Sequence, residues 1–278
     1  PRTDQSRQRD VKFISASAPE TVLSPQECRH STLYMEKRAV QGEPTVFSET
    51  FEYTSCGEWH NLRAEDVLPY DTTSALYKEY TAEREKHIVF SPRLRELAAK
   101  LAAGETNPYL KAKRIFRWIN DHFPWASARE YSTIENIPEY VLDNRHGDCG
   151  QVSLLFITLC RISGIPAHFQ SGFMMHPRAW NLHDWAEVYF EGVGWVPVDQ
   201  SFGIPAFARN ADEEYFFLGG IDSWRMIVNT DYGMPLVPEK KYPRSETVDF
   251  QRGEVEWEGG NLYYPLSSYH MGFDYLNF

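Results

Sequence analysis

Residues 145–166 read RHGDCGQVSLLFITLCRISGIP, and this stretch decides the fold. The apolar run after Cys149 is long enough for about four helical turns, and Gly164 with Pro166 ends it, as is common at helix C-termini. Its apolar members are Val152, Leu154, Leu155, Phe156, Ile157, Leu159, Cys160 and Ile162. Because they are spread around the whole helix and form no single stripe, we expect a helix that is buried on most sides.

Cys149 opens this helix, where unpaired backbone N–H groups and the positive end of the helix dipole favour a thiolate. The alternative is a small buried hydrophobic residue, which free cysteine often is, and Cys160 in mid-helix is better explained in that way. Because Asp148 and Gly150 flank Cys149, we interpret Cys149 as a nucleophile with a lowered thiol pKa, provided that a base lies elsewhere. We therefore expect iodoacetamide to alkylate Cys149 far faster than Cys160.

The length and charge of the chain exclude several classes of protein. Its 278 residues fit one large domain or two smaller ones. The net charge of -11 argues against a nucleic-acid partner, because phosphate binding needs a basic face. No apolar run approaches the roughly 20 residues of a membrane-spanning helix.

The sequence also predicts no metal and no cofactor. A site built from His146, Cys149 and His183 lacks a paired ligand motif such as HExxH or CxxC. A calcium site is not supported either, because the chain has no D-x-D-x-D-G run.

The first residue and the cysteines bear on the compartment. The chain begins at Pro1 without an initiator methionine, which indicates a processed or trimmed protein. We take this as a weak indication of export to the periplasm or cell surface, and a cytoplasmic location stays open. Cys28 and Cys56 both lie in the strand-rich N-terminal part, where a disulfide and two free thiols are equally open.

Changes in composition along the chain predict three domains. Ser91-Pro92 and Asn107-Pro108 are typical helix starts, and the second helix runs to about His122. Residues 123–143 look irregular. The predicted domains are a strand-rich N-terminal domain at 1–90, a catalytic core at 91–205 and an extension that packs on the core at 206–278.

Two strand-like runs after the central helix carry the candidate base and its partner. Residues 183–191 read HDWAEVYFE, residues 195–201 read WVPVDQS, and the Gly-Val-Gly between them is typical of a hairpin. A two-residue loop would put His183 and Asp199 on opposite faces of the sheet, whereas an odd loop or one bulge puts them on the same face. We therefore predict an odd loop or a bulge.

Cys149, His183 and Asp199 have the residue types and the chain order that a cysteine nucleophile needs. His183 would take the thiol proton and later protonate the leaving amine, while Asp199 would fix the tautomer and orientation of the ring. Each residue also has a structural explanation, since a histidine often begins a strand and an aspartate often ends one. Together they predict acyl transfer, with the imidazole within hydrogen-bonding reach of both partners.

Three motifs resemble the core of the transglutaminase-like superfamily, and in particular its bacterial cysteine peptidase-like branch. They are GDCGQ, LLFITLCRISGIPAHFQSGF and HDWAEVYFEGVGWVPVD, in that order, and the resemblance covers roughly 91–203. It implies an α+β, papain-like fold with the nucleophile helix packed on an antiparallel sheet, a strand-rich N-terminal domain and a C-terminal β extension. It also implies that Cys149 is the nucleophile, His183 the base and Asp199 the orienting acid.

The resemblance implies an oxyanion site as well. In this superfamily the donors are usually the backbone N–H of the cysteine and an upstream side chain, often aromatic or amide. Trp125, Tyr131 and Asn144 are the candidates here, and their spacing does not choose among them.

The reaction implied is cysteine-dependent acyl transfer on an amide bond through a thioester. We expect hydrolysis by a peptidase or amidase acting on a peptide or protein, with or without an attached glycan. One alternative is a cross-linking transglutaminase, in which a lysine-type amine resolves the thioester. The other is a non-catalytic module that binds a glycan or peptide on the same scaffold.

Overall fold

The structure is a computed structural model that describes residues 7–127, 129–263 and 266–276. The described helices are α1 (Ala75–Tyr80), α2 (Pro92–Ala102), α3 (Pro108–His122), α4 (Ile137–Asn144), α5 (Cys149–Ile162) and α6 (Ala211–Glu214). The described strands are β1 (Gln8–Ala16), β2 (Thr21–Leu23), β3 (Leu33–Met35), β4 (Glu49–Ser55), β5 (Glu58–Trp59), β6 (Ala167–Met174), β7 (Asn181–Phe190), β8 (Gly194–Val198), β9 (Gly220–Ile221), β10 (Arg225–Thr230), β11 (Val255–Trp257) and β12 (Gly260–Leu262). Over these residues, no helix has the length and apolar character that crossing a membrane requires.

A four-stranded antiparallel sheet of order β10-β6-β7-β8 forms the centre of the molecule. Helix α5 packs against β6 and β7, and α2, α3 and α4 pack against α5. All residues from 150 to 161 are buried, which confirms the prediction of a helix enclosed on most sides. The apolar face of β7, with Ala186 and Val188, completes the core on the other side of α5. The fold is therefore the predicted α+β arrangement of a nucleophile helix on an antiparallel sheet.

The predicted helix starts are confirmed. The side chain of Ser91 accepts a hydrogen bond from the Leu94 N–H at 3.2 Å, and that of Asn107 accepts one from the Leu110 N–H at 3.2 Å. The prediction that residues 123–143 are irregular is wrong, because α4 forms there. Its N-cap residue Asn136 was readable, but a helix of 8 residues that starts with proline near its first turn has little periodicity to detect.

The predicted hairpin between β7 and β8 is also confirmed. Phe190 pairs with Gly194, so three residues, 191–193, form the loop. An odd loop puts His183 and Asp199 on the same face of the sheet. The pairing thus brings a histidine at the start of one strand and an aspartate after the next strand to one place.

The flanking segments contact this core. Strand β10 lies within residues 206–278 and forms an edge of the central sheet beside β6, whereas β1 and β4 form a separate two-stranded sheet. The boundaries of the three domains stay a prediction. Cys28 and Cys56 are not joined by a disulfide, and the Arg9 guanidinium donates a hydrogen bond to the Cys56 sulfur at 3.0 Å.

Candidate active site

The start of α5 is held by a capping box. The side chain of Asp148 accepts a hydrogen bond from the Gln151 N–H at 3.1 Å, and the Gln151 side chain accepts one from the Asp148 N–H at 3.4 Å. Such reciprocal bonds satisfy backbone donors that have no partner inside the helix. Cys149 is therefore the first residue of a helix whose start is firmly defined.

Gly150 allows two side chains to approach the helix next to Cys149. A Cβ atom at this position would lie 2.6 Å from Asp184 Oδ2 and closer still to the Tyr131 hydroxyl oxygen. The Tyr131 hydroxyl donates to Asp148 Oδ1 at 2.6 Å and accepts from the Gly150 N–H at 3.1 Å. The second glycine of the GDCGQ motif thus makes room for a buried polar network under Cys149.

The thiol of Cys149 donates a hydrogen bond to Asp184 Oδ2, with a sulfur to oxygen distance of 3.6 Å. Asp184 lies on the face of β7 that packs on α5, opposite to the face of its neighbour His183, because side chains alternate along a strand. Among the described residues, no hydrogen bond joins Cys149 to His183. The expected contact between the sulfur and the imidazole is therefore not made in this conformation.

The expected contact between His183 and Asp199 is made. His183 Nε2 lies 2.8 Å from Asp199 Oδ2, and both side chains are buried. Burial alone would raise the pKa of Asp199, but His183 and Arg225 outweigh burial and hold it below the usual range of a carboxyl group. Since an ionised carboxylate can only accept, Nε2 carries a proton, and in the neutral ring Nδ1 is then the nitrogen with the lone pair. Nδ1 has no hydrogen-bond partner within the described part of the chain.

Arg225 is a second partner of Asp199 that we did not predict. Its Nη2 donates to Asp199 Oδ2 at 2.9 Å, so Arg225 and His183 share one oxygen. The other oxygen, Oδ1, accepts from the Ser201 hydroxyl at 3.2 Å and from the Phe202 N–H at 3.3 Å. Every lone pair of this buried carboxylate is thereby directed at a donor.

Two further residues of the site were also missed. Gln251 Nε2 donates to Asp184 Oδ1 at 2.7 Å and to the His183 carbonyl at 2.9 Å, so that it fixes β7 from the C-terminal segment. Asp184 itself follows His183 directly in the sequence. The alternation of a strand already predicts that Asp184 points towards α5, but it does not predict the contact with the thiol.

The prediction of a lowered thiol pKa at Cys149 is wrong for this conformation. Burial, and then the carboxylates of Asp184 and Asp148, raise the pKa of the Cys149 thiol well above its usual value. Burial, and then Asp249 and Asp148, likewise raise the pKa of Asp184 well above the usual range of a carboxyl group. Burial also raises the pKa of Asp148 to about 6. The field of the helix N-terminus is therefore opposed by its surroundings, and the thiol rests in its neutral form.

A cavity of about 140 Å³ lies beside the helix start. It is lined by Asn120, Phe123, Pro124, Trp125, Gly147, Val152, Gln200 and Ser201. Of the three oxyanion candidates, Trp125 lines this cavity, is 58 % exposed and forms a backbone bridge with Gly147. Tyr131 is buried in the network below Cys149, and the Asn144 amide donates to the Tyr140 carbonyl of its own helix at 2.7 Å. Across the described ranges, no group of three or more His, Cys, Asp or Glu side chains is placed to hold a metal ion.

Comparison with known proteins agrees with this fold. The model of the transglutaminase-like superfamily matches residues 95–200. A structure titled "putative cysteine protease", from Cytophaga hutchinsonii, superposes with a TM-score of 0.55 at 19 % identity and covers 83 % of this chain and 73 % of its own. At that identity the likeness concerns the fold.

Two curated relatives match smaller parts. The uncharacterized protein YebA of Bacillus subtilis is 26 % identical over 140 residues, which are 43 % of this chain and 19 % of that protein. A protein-glutamine gamma-glutamyltransferase of Pseudomonas aeruginosa is 23 % identical over 125 residues, which are 41 % of this chain and 19 % of that protein. The match thus spans about a fifth of each relative's length. Residues 95–200 of this chain are thus similar to the transglutaminase-like superfamily.

Proposed function

We propose that this protein is a cysteine hydrolase that cleaves amide bonds in a peptide or protein by acyl transfer through Cys149. The observation that carries the proposal is the buried His183–Asp199 pair at 2.8 Å, on the sheet against which the helix of Cys149 packs. This pair is oriented to receive a proton on Nδ1. A histidine fixed in that way is what a neutral thiol needs in order to react.

The chemistry proceeds in two steps. The Cys149 sulfur attacks the amide carbonyl while its proton passes to His183 Nδ1, and the tetrahedral intermediate collapses as His183 returns the proton to the leaving amine. A carbon–sulfur bond has then replaced the carbon–nitrogen bond. Water, deprotonated by His183, attacks the thioester and releases a carboxylic acid and the thiol. This requires the Cys149 thiol to leave Asp184 and to approach His183 Nδ1.

For the oxyanion we propose the Cys149 N–H and the side chain of Trp125. The N–H groups of the first helical turn have no partner inside the helix and point towards developing negative charge. Trp125 supports this role because it is exposed and lines the cavity next to Gly147. Tyr131 and Asn144 are less suited, since other groups already engage their polar atoms.

Transfer of the acyl group to an amine is the second candidate. It is supported by the named activity of the Pseudomonas aeruginosa relative, protein-glutamine gamma-glutamyltransferase. Both reactions share the thioester and differ in whether water or an amine resolves it, so one assay can separate them. If export holds, the substrate would be a periplasmic or cell-surface peptide or protein.

The test compares the wild type with Cys149→Ala and His183→Gln on casein, with and without a dansylated primary amine. Hydrolysis releases ammonia or new amino termini, whereas transfer makes casein fluorescent. We expect either variant to lose product formation by at least about 100-fold, as is typical for loss of a nucleophile or its base. Cys160→Ala is the matched control, because Cys160 lies on the same helix and is fully buried.

Iodoacetamide labelling tests the same site without a substrate. Slow labelling of Cys160 is uninformative, because that sulfur is inaccessible, so the useful comparison is Cys149 in the wild type and in His183→Gln. We expect the wild type to label at least about tenfold faster near neutral pH, since His183 accepts the thiol proton. Equal rates, together with no product formation by the wild type, would favour the non-catalytic binding module, whereas full product formation by Cys149→Ala would refute the role of Cys149.

A further inference from the structure

We propose that Arg225 is a positioning residue of this site: it balances the charge of Asp199, so that Asp199 can orient the His183 ring without drawing a proton onto it. The inference rests on the proposed function, in which His183 must be a neutral base. Arg225 belongs to β10, which follows the Cys, His and Asp residues in the chain, and its side chain hydrogen-bonds to Asp199, Asp222 and His176. Its effect is exerted through Asp199.

The geometry supports a direct competition for one oxygen. Arg225 Nη2 lies 2.9 Å from Asp199 Oδ2, and His183 Nε2 lies 2.8 Å from the same atom. The side chains of Arg225 and Asp199 are 3 % and 0 % exposed, so water screens their charges little. Asp199 therefore faces one permanent cation and one ring that can become a cation.

The guanidinium is held on three other sides. Arg225 Nη1 donates to Asp222 Oδ1 at 3.2 Å and to His176 Nε2 at 3.2 Å. The guanidinium carbon also lies 4.6 Å from the centre of the Phe202 ring, which packs on the His183 ring at 5.4 Å. The fork of Arg225 is thus fixed in position against Asp199, as a flexible lysine ammonium would not be.

Several charged or titratable groups surround His183, and they act in different directions. They are Asp199 after β8, Arg225 on β10, Asp148 and Cys149 at the start of α5, Asp222 and His176 beyond Arg225, and Asp184 on the opposite face of β7. Asp199, Asp148 and Asp222 favour a charged ring, whereas Arg225 disfavours it. Arg225 is the cation bonded to Asp199, so its removal leaves the carboxylate acting on His183 alone.

This balance has a functional consequence. An unbalanced Asp199 would hold His183 as an imidazolium, which cannot accept the thiol proton. A balanced Asp199 still accepts the Nε2–H bond, and so keeps the tautomer in which Nδ1 is the base. Arg225 thereby extends to lower pH the range in which His183 can accept the thiol proton.

The experiment follows the His183 ring directly by NMR, in protein labelled with ¹³C at histidine Cε1. The His183 signal is the one that disappears in His183→Gln. We expect the midpoint of its titration to rise by at least about one pH unit in Arg225→Met, a tenfold change in proton affinity, and to return towards the wild type in Arg225→Lys. Arg161→Met is the matched control, since Arg161 is also 3 % exposed and contacts none of these groups.

Asp222→Asn gives an opposite and independent test. Asp222 offsets part of the charge of Arg225 and is more exposed, so its replacement should lower the His183 midpoint, even if Arg225→Met does not fold. Midpoints that stay unchanged in the folded variants, or that move in the reverse direction, overturn the proposal. The titration needs no turnover, so it can be separated from the test of the proposed function. If the His183 midpoint shifts as expected but Cys149→Ala keeps full activity, the proposed function is refuted and the role of Arg225 is not.

Discussion

Replacement of Gly150 by alanine tests how closely the side chains of Asp184 and Tyr131 pack against the start of α5. Alanine favours a helix over glycine by up to about 1 kcal/mol, so helix propensity alone predicts a more stable protein. The structure predicts the opposite, because the new Cβ would lie 2.6 Å from Asp184 Oδ2 and closer to the Tyr131 hydroxyl. Both neighbours are buried and hydrogen-bonded, and overpacking of this kind typically costs about 1–3 kcal/mol. We therefore expect a net loss of about 1–2 kcal/mol in the free energy of unfolding.

Equilibrium unfolding in urea measures this loss, with an unchanged m-value as the sign that the unfolded state is unaffected. Gly272→Ala is the control, because a Cβ at Gly272 would meet no atom within 4 Å. Tyr131→Phe removes the nearest clashing atom, so the double variant with Gly150→Ala should lose less than the sum of the single variants. A Gly150→Ala protein that is as stable as the wild type, or more stable, would refute the packing described here.

Three further predictions concern the buried carboxylates. Asp199→Ala should destabilise the protein by about 3–5 kcal/mol in urea unfolding, because Arg225 stays buried without the Asp199 carboxylate. Asp199→Asn should destabilise it less, and equal losses of stability in the two variants would contradict this. The folded-state pKa of Asp199 is depressed, so the stabilisation by its carboxylate is present above the unfolded-state pKa and is lost as pH falls. The difference in the free energy of unfolding between wild type and Asp199→Asn should therefore become smaller from pH 7 to pH 3. A constant difference would contradict the depressed pKa. The pKa of Asp148 is raised from 3.8 to about 6, so its charged form costs stability. Asp148→Asn should therefore gain stability relative to the wild type as pH rises through that window. Thermal unfolding at several pH values measures this difference, which would instead fall with rising pH if the carboxylate were stabilising.

The elements that the sequence predicts well are those whose signals are local. The helix of Cys149 was readable because apolar residues are spread around all of it and Gly164 with Pro166 ends it. The hairpin was readable because strand alternation leaves only an odd loop if His183 and Asp199 are to share a face. Both follow from neighbouring residues alone.

What could not be predicted depends on pairing between distant segments. Arg225 reaches Asp199 although β6 and β7 lie between β10 and β8 in the sheet, and no local pattern determines that order. The Gln251 bond to Asp184 likewise joins segments 67 positions apart. The prediction of a lowered pKa for the Cys149 thiol was wrong for a related reason. The helix dipole is a local feature, whereas the burial and the carboxylates that oppose it come from the tertiary structure.

The surroundings of Cys149 also decide how its nucleophile can be formed. Three carboxylates, Asp148, Asp184 and Asp199, lie near the sulfur, and by number alone they would prevent ionisation. Burial raises the pKa of Asp184 well above the usual range of a carboxyl group, Asp199 is ion-paired with Arg225, and burial raises the pKa of Asp148 to about 6. The thiolate is then supplied neither by the helix dipole nor by an ion pair of Cys149 and His183 that exists before the attack. Under the proposed mechanism the sulfur loses its proton to His183 during the attack, and a thiol that rests on Asp184 stays protonated and unreactive until it turns.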